Sequence, residues 1–236
     1  MDIEDKGFIL KKTEYGDYDI FGTFYTSSLG KINLLIKNAR KSKKRFMGKL
    51  ELFNLVSIKL KYRQQDSNPS LLQTIDLVGS QDYIGLDKRI MVLSSLVNEY
   101  VENFEIQENP SRKKFNYLEN FFLRNDKNNL SLCLNEVIKF QLKYLKDLGI
   151  APNIKKCFKC QKELKEINFF DIRNGGNICY NCHKQDVDID SRKISKKINL
   201  RNITRDNDAK LNLIKIIIAF SEFHSGKRFN SVQYLD

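Results

Sequence analysis

The segment Val56-Ser57-Ile58-Lys59-Leu60-Lys61-Tyr62-Arg63 decides the fold of the N-terminal region. Apolar and polar side chains alternate along it, which is the period of a β-strand with one buried face. Shorter segments of the same character flank it, and turn residues separate them. The predicted strands are Gly7–Lys11, Ile20–Thr26, Lys31–Ile36, Val56–Tyr62 and Leu71–Leu77. Because closure removes sheet edges, five short antiparallel strands favour a small barrel of the OB type. An SH3-like barrel or an open meander is the alternative.

The period of the apolar residues changes from about residue 86 to intervals of three and four, which predicts amphipathic helices. These cover Ile90 to Phe104, Phe115 to Phe122, Leu130 to Leu148 and Leu211 to Phe220, with a last short helix from Lys227 to Leu235. Gly149 and Pro152 are typical of a helix end. The predicted fold is therefore α+β, with an OB barrel at residues 1–80 and an α-helical bundle at residues 81–236.

Two cysteine pairs, Cys157-Phe158-Lys159-Cys160 and Cys179-Tyr180-Asn181-Cys182, lie 18 residues apart within the helical region. Four thiolates with this spacing suit tetrahedral Zn²⁺, and a closed four-cysteine set leaves no open position for catalysis. Residues 168–176 are expected to form a strand and turn that bring the pairs together. We predict one structural zinc in a module at about residues 155–186, inserted between bundle helices. Redox-active pairs or bare thiols are the alternative.

Positive charge is the main compositional feature, with 41 Lys and Arg against 29 Asp and Glu, a net charge of +12 and a pI near 9.4. This excess favours polyanionic partners, although an AT-rich genome would also raise the lysine content. The densest run, from Lys37 to Lys49, holds seven basic residues and no acid. We predict phosphate contacts from the loop and from the polar face of the fourth strand. The predicted DNA-binding residues are Lys37, Arg40, Lys41, Lys43, Lys44, Arg45, Lys59, Lys61 and Arg63.

The alternative for this loop is a solvated, disordered segment without DNA contact. Aromatic residues of the same region are expected mostly in the barrel core, namely Phe21, Phe24, Tyr25, Phe46 and Phe53. A second basic run would extend the DNA surface, receive an acidic peptide of a partner, or form a flexible connector. It comprises Arg192, Lys193, Lys196, Lys197, Arg201 and Arg205.

Catalysis finds little support in the sequence. The two histidines are His183, a spare candidate ligand beside Cys182, and His224, expected near a helix end. Phosphate-binding and zinc-protease motifs are missing from the sequence, and a nuclease built on Asp17 and Asp19 is only a weak alternative. There is no charged-then-apolar N-terminal segment and no apolar run long enough to span a bilayer. We expect a cytoplasmic, nucleoid-associated protein that is not an enzyme and does not bind membranes.

Several short motifs, taken in order, resemble the bacterial recombination and repair family RecO along essentially the whole chain. The N-terminal motifs are Gly7-Phe8-Ile9-Leu10, Tyr15-Gly16-Asp17-Tyr18-Asp19 and Phe24-Tyr25-Thr26 with Gly30. The C-terminal motifs are Gly149-Ile150-Ala151-Pro152-Asn153, the cysteine pairs around Gly175-Gly176, and Phe223-His224-Ser225-Gly226-Lys227-Arg228-Phe229-Asn230-Ser231. The order and spacing of these motifs are specific, although each motif alone is not.

The resemblance implies an OB-fold, a helical domain with a zinc module, and a non-enzymatic mediator that binds single- and double-stranded DNA and anneals complementary strands. It further implies that the protein works with RecR to load RecA, and binds the acidic C-terminal tail of single-strand-binding protein. Asn38 and Gln161 stand where the family commonly has glycine. Some family members lack the cysteines, so zinc is expected to serve folding. The alternative function is an RNA- or ribosome-associated zinc protein.

Overall fold

The computed structural model describes residues 1–63, 69–81, 84, 87–123, 129–164, 167–185, 195–199 and 206–235. The chain divides into two compact units, Met1–Asn125 and Asp126–Asp236. Within the described ranges, no helix is both long enough and apolar enough to cross a bilayer.

The first unit is built on a closed five-stranded barrel, as predicted. Its strands are β1 (Asp2–Tyr15), β2 (Asp19–Thr26), β3 (Gly30–Ile36), β4 (Leu55–Lys61) and β5 (Ser70–Gly79). They pair in the order β1-β2-β3-β5-β4, with β4 returning to β1. All pairs are antiparallel except β3 with β5. This OB-like barrel confirms the predicted fold class.

Strand β1 is much longer than its predicted apolar segment because it serves two neighbours. Its first half, from Asp2 to Phe8, pairs with β4, and its second half, from Gly7 to Tyr15, pairs with β2. Each end therefore satisfies its backbone groups in a ladder although its side chains are mostly exposed.

A short helix, α1 (Lys43–Phe46), lies between β3 and β4 and was not predicted. Ala39, Phe46 and Leu50 of this connection belong to the barrel core, together with Phe24 and Leu34. The connection is thus anchored by buried apolar side chains, which bears on the basic residues it carries.

Two helices, α2 (Lys88–Phe104) and α3 (Arg112–Phe122), pack on the barrel and complete the first unit. The ring of Phe8 lies 5.5 Å from that of Phe115 and 5.4 Å from that of Phe122. The Asn98 amide donates to the carbonyls of Ile9 and Leu10, where β1 departs from regular register. The domain limits 1–80 and 81–236 stay a prediction.

The second unit combines helices with a small mixed sheet. The helices are α4 (Leu130–Asp147), α5 (Tyr180–Lys184) and α6 (Asn207–Ser225), and Asn230–Tyr234 forms a 3₁₀ helix. The strands are β6 (Asn153–Cys157), β7 (Ile167–Asp171), β8 (Gly176–Cys179) and β9 (Ser195–Asn199), in the order β6-β8-β7-β9. Helix α4 packs against α6, and the predicted strand and turn at residues 168–176 correspond to β7 and the turn into β8.

Candidate nucleic-acid interface and metal centre

The four predicted cysteine ligands come together in the second unit. Cys157 ends β6, Cys160 lies in the following turn, Cys179 ends β8, and Cys182 lies on α5. Their sulfur atoms all lie within 4.8 Å of one another, and the Sγ atoms of Cys160 and Cys179 are 3.8 Å apart. A tetrahedron with metal–sulfur bonds of about 2.3 Å has edges of about 3.8 Å. The four-cysteine cluster can therefore hold a metal ion, and the donor set fits zinc.

Backbone donors around Cys157 favour its thiolate form. The Cys179 N–H points at the Sγ atom of Cys157, and the N–S distance is 3.4 Å. Burial raises the pKa of Cys157, but hydrogen bonds from the backbones of Cys160, Cys179 and Lys159 outweigh burial and lower it to about 6. The pKa of Cys182 is raised to about 12, first by its hydrogen bond to Cys179 and then by burial. A divalent cation would relieve the repulsion that opposes several thiolates in so small a cluster.

The turn that joins the two halves of the metal module packs tightly on α6. Gly175 has a φ of +62°, and a Cβ atom there would lie 2.6 Å from the Phe220 ring. The preceding strand adds an edge-to-face contact between Phe170 and Phe220, with ring centroids 5.9 Å apart. The module is thereby fixed to a helix of its own unit.

Neither histidine joins the metal cluster that the described residues form. The His183 ring stacks on Phe169 with centroids 3.7 Å apart. His224 lies in the last turn of α6, and its ring lies 4.3 Å from that of Phe220. Both rings pack on phenylalanines, and His224 lies near a helix end as expected.

The basic connection between β3 and β4 is held against the turn that joins β1 to β2. Asn38, at its start, has a φ of +56° and donates its N–H to the Asp19 carboxylate over 2.7 Å. The Arg40 N–H donates to the Tyr18 carbonyl, and the Arg40 guanidinium lies 3.1 Å from Glu14. The Lys41 ammonium lies 3.5 Å above the centre of the Tyr18 ring. These contacts, together with the buried anchors Ala39, Phe46 and Leu50, give the connection a defined conformation.

The basic side chains of this connection differ in the contacts that they make with the rest of the protein. Lys37 and Lys44 are exposed, and they make no ion pair with another described residue. Arg45 donates to the Gln73 carbonyl, so it also ties α1 to β5. The side chain of Lys43 lies outside the described residues.

The three predicted cations on and after β4 stand in a more acidic neighbourhood. Lys59 lies 3.5 Å from Glu4, which is its cross-strand partner. Lys61 is opposite Asp2 in the same ladder, and both Lys61 and Arg63 are exposed. The carboxylates on β1 weaken the positive potential of this face, which the sequence pattern alone did not show.

The prediction that most of the aromatic residues belong to the barrel core holds for Phe24 and Phe46, whereas Tyr25 and Phe53 pack against α3. Phe24, Tyr25, Phe46 and Phe53 are buried, and only Phe21 is half-buried. Two aromatic residues that were not singled out are exposed, with Tyr15 at 58% and Tyr18 at 44%. Both residues lie close to Gly16 in sequence, and a glycine of a tight turn between two strands is a feature that predicts exposed neighbours.

The second basic run lies largely outside the described residues. Arg192, Lys193, Arg201 and Arg205 fall there, so their contribution stays a prediction. Lys196 and Lys197 lie on β9, and Lys197 is exposed.

The fold and these sites define a class: an OB-barrel protein with a cationic β3–β4 connection and a four-cysteine module in its helical part. Family models give the family. Residues 1–80 match "Recombination protein O N terminal" and residues 89–233 match "Recombination protein O C terminal". The chain therefore belongs to the RecO family of DNA repair proteins.

Individual relatives agree with the family models. The chain is similar to DNA repair protein RecO of Syntrophus aciditrophicus, with 32% identity over 75% of this chain and 68% of the relative. The corresponding protein of Desulfatibacillum aliphaticivorans is 34% identical over 74% and 69% of the two chains. That of Bacillus subtilis is 24% identical over 98% and 92%. The resemblance inferred from sequence motifs is thus confirmed.

Proposed function

We propose that this protein is a recombination mediator that binds single- and double-stranded DNA and anneals complementary strands. The observation that carries the proposal is the fixed cationic connection of an OB-type barrel, from Lys37 to Lys49. Phosphate contacts from such a surface neutralise two polyanions while leaving base edges free to pair. Annealing makes and breaks no covalent bond, so the function needs no catalytic residue.

The proposal includes the partners that the family membership suggests. RecR would act with this protein to load RecA onto DNA coated by single-strand-binding protein, whose acidic C-terminal tail is a further ligand. Work on DNA implies a cytoplasmic location at the nucleoid. Zinc, held by the four cysteines, would stabilise the module rather than take part in annealing.

The structure indicates which cations give the cleanest test of the DNA site. Reversing Arg40 or Lys41 would also release the contacts with Glu14 and Tyr18, so a loss of function would be ambiguous. Lys37 and Lys44 are exposed without such contacts among the described residues. Lys37→Glu with Lys44→Glu therefore changes charge with the least change in fold.

The experiment measures DNA affinity and the rate of strand annealing over a range of salt concentrations. Each lost phosphate contact should reduce the log–log salt slope by about 0.9 on duplex and about 0.7 on single strands. Lys146→Glu with Lys155→Glu is the control with the same charge change, because both lysines are exposed and lie in the other compact unit. An unchanged slope and annealing rate in the double variant would refute the site.

The partner part of the proposal needs a separate assay. Annealing is measured on DNA precoated with the host single-strand-binding protein, with and without RecR. We expect annealing of coated strands by the wild type, and RecR-dependent loading of RecA. Competition by structured RNA that exceeds competition by single-stranded DNA would instead favour an RNA-associated function.

A further inference from the structure

The outer surface of β1, β2 and β3 is covered at one end and accessible at the other. At the covered end, Tyr25 packs on Phe115 of α3, and the Lys31 ammonium donates to the Glu102 carbonyl of α2. At the other end, Tyr15 is 58% exposed, and Phe21 and Leu35 are half-buried. The barrel thus presents an apolar and aromatic surface that these helices leave accessible.

Strand register places Tyr15, Phe21 and Leu35 on one face. Tyr15 is opposite Asp19, and Phe21 lies two residues further along β2, so both project to the same side of the sheet. The ring centroids of Tyr15 and Phe21 are 6.5 Å apart. Phe21 is in turn opposite Leu35 on β3. Tyr18, 44% exposed, follows in the adjacent turn. We call Tyr15, Tyr18 and Phe21 the aromatic platform.

Positive charges border the platform along the basic connection. Lys37 directly follows β3 and is exposed. Arg40 and Lys41 are held on the β1–β2 turn, and the Lys41 ammonium lies over the Tyr18 ring. Aromatic faces beside Lys and Arg are the combination that single-stranded nucleic acid requires, since bases stack on rings while cations neutralise phosphates. The β2–β3 face and the β1–β2 loop are also where OB barrels bind oligonucleotides.

We infer that the aromatic platform stacks the bases of single-stranded DNA and makes the barrel prefer single strands over duplex. The inference rests on the proposed DNA-binding function and adds a second kind of contact to it. Phosphate contacts from Lys37 and Lys44 serve both forms of DNA. Stacking serves only a strand whose base faces are free, because in a duplex those faces are covered by neighbouring bases. The platform would hold an unpaired strand while its base edges remain able to meet a complement.

The test uses the full chain with Tyr15→Ala and Tyr18→Ala, singly and together. Both side chains are exposed, so the barrel should remain folded, which thermal unfolding checks. Binding is measured by anisotropy with an oligothymidine of about 15 nucleotides, a matched abasic strand and a duplex, since OB folds cover about 4–16 nucleotides. We expect each variant to bind oligothymidine about 5- to 150-fold more weakly for each stacked base lost. Binding to duplex and the salt slope should not change in Tyr15→Ala. Tyr18→Ala also removes the ring that holds Lys41, so its affinity for duplex measures that separate effect.

Two control variants separate stacking from other effects. Tyr15→Phe keeps an aromatic face and should retain wild-type affinity. Tyr234→Ala removes a tyrosine that is 66% exposed on the 3₁₀ helix of the second unit, and should have no effect.

Three results would count against the proposals, and they are distinguishable. Wild-type affinity for oligothymidine in the double tyrosine variant would overturn the platform, as would equal wild-type affinity for oligothymidine and the abasic strand. Neither result touches the proposed function while Lys37→Glu with Lys44→Glu lowers the salt slope. Absence of binding to any DNA at low salt would overturn both.

Discussion

Replacement of Phe46 by alanine tests whether the basic connection is part of the barrel or an appended loop. Phe46 is 4% exposed and belongs to the barrel core with Leu50 and Phe24. Truncation of a buried phenylalanine costs about 3–5 kcal/mol, through lost transfer free energy and the cavity left behind. Domains are stabilised by only about 5–15 kcal/mol, so this loss is a large share. All cations of the connection remain in the variant, which separates anchoring from charge.

The assay must report on the barrel alone, because two compact units need not unfold together. Hydrogen exchange followed by mass spectrometry gives the opening free energy of peptides from β1 to β5. We expect their protection to fall by about 3–5 kcal/mol in Phe46→Ala and by under about 1.5 kcal/mol in Phe46→Leu. Met47→Ala is the matched control, since the neighbouring Met47 is 70% exposed. Unchanged barrel protection in Phe46→Ala would refute the idea that the connection closes the core.

Three further predictions concern the metal module and a turn of the barrel. Chelation should remove one zinc ion per chain and increase hydrogen exchange in β6 to β8, which metal analysis and exchange measurements check. Helicity should change little, because the helix described in the module, α5, has only five residues. Gly175→Ala should destabilise the second unit by at least about 1–2 kcal/mol, measured by exchange in β7 and β8, because of its φ of +62° and the approach of Phe220. The Asp5 carboxylate accepts bonds from Ser27 and Ser28; burial opposes its ionisation, but these bonds prevail and lower its pKa. The ionised Asp5 carboxylate should therefore add to the free energy of unfolding above its unfolded pKa near 3.8, and this stabilisation should be lost as pH falls through its lower folded pKa. The free energy of unfolding of Asp5→Asn, measured over the same pH range, should not show this loss.

The barrel strands and the four-cysteine cluster were predictable because their signals are local. The alternation from Val56 to Tyr62 depends on one buried face, and the paired cysteines depend on a short turn with fixed chemistry. The connection from Lys37 to Lys49 was predictable as a charged segment, but not as a segment whose apolar side chains are buried in the barrel core. Its helix α1 has four residues, too few to show a helical period among so many basic residues. Its sequence signal is limited to the four-residue spacing of Phe46 and Leu50, whose backbones are joined by a hydrogen bond.

Long-range pairing accounts for what the sequence could not show about the predicted DNA surface. The neutralising neighbour of Lys59 is Glu4, which only the β1–β4 register brings to it. Exposure of Tyr15 and burial of Tyr25 likewise depend on where α2 and α3 cover the barrel, since both residues are tyrosines on strands. The strands of the metal module are four or five residues long and partly polar, so their pairing depends on the cysteine cluster and Phe220 more than on propensity.

Two residues other than glycine, Asn38 and Gln161, show what their turns require. Asn38 and Gln161 both adopt left-handed backbone, with φ of +56° and +61°. Such backbone costs about 1–2 kcal/mol for most residues, and asparagine adopts it more readily. The Asn38 carbonyl accepts from the N–H groups of Lys41 and Ser42, which starts the basic connection.

Gln161 meets the same requirement at the first cysteine turn. Its N–H donates to the Cys157 carbonyl over 2.8 Å, and its side-chain amide donates to the Phe158 carbonyl over 3.1 Å. The side-chain bond offsets part of the conformational cost, since a net hydrogen bond contributes about 0.5–1.5 kcal/mol. The turn geometry, rather than glycine itself, is therefore what the cysteine cluster needs. Glutamine at this position does not weaken the case for a metal ion, because the backbone brings Cys157 and Cys160 into the same cluster.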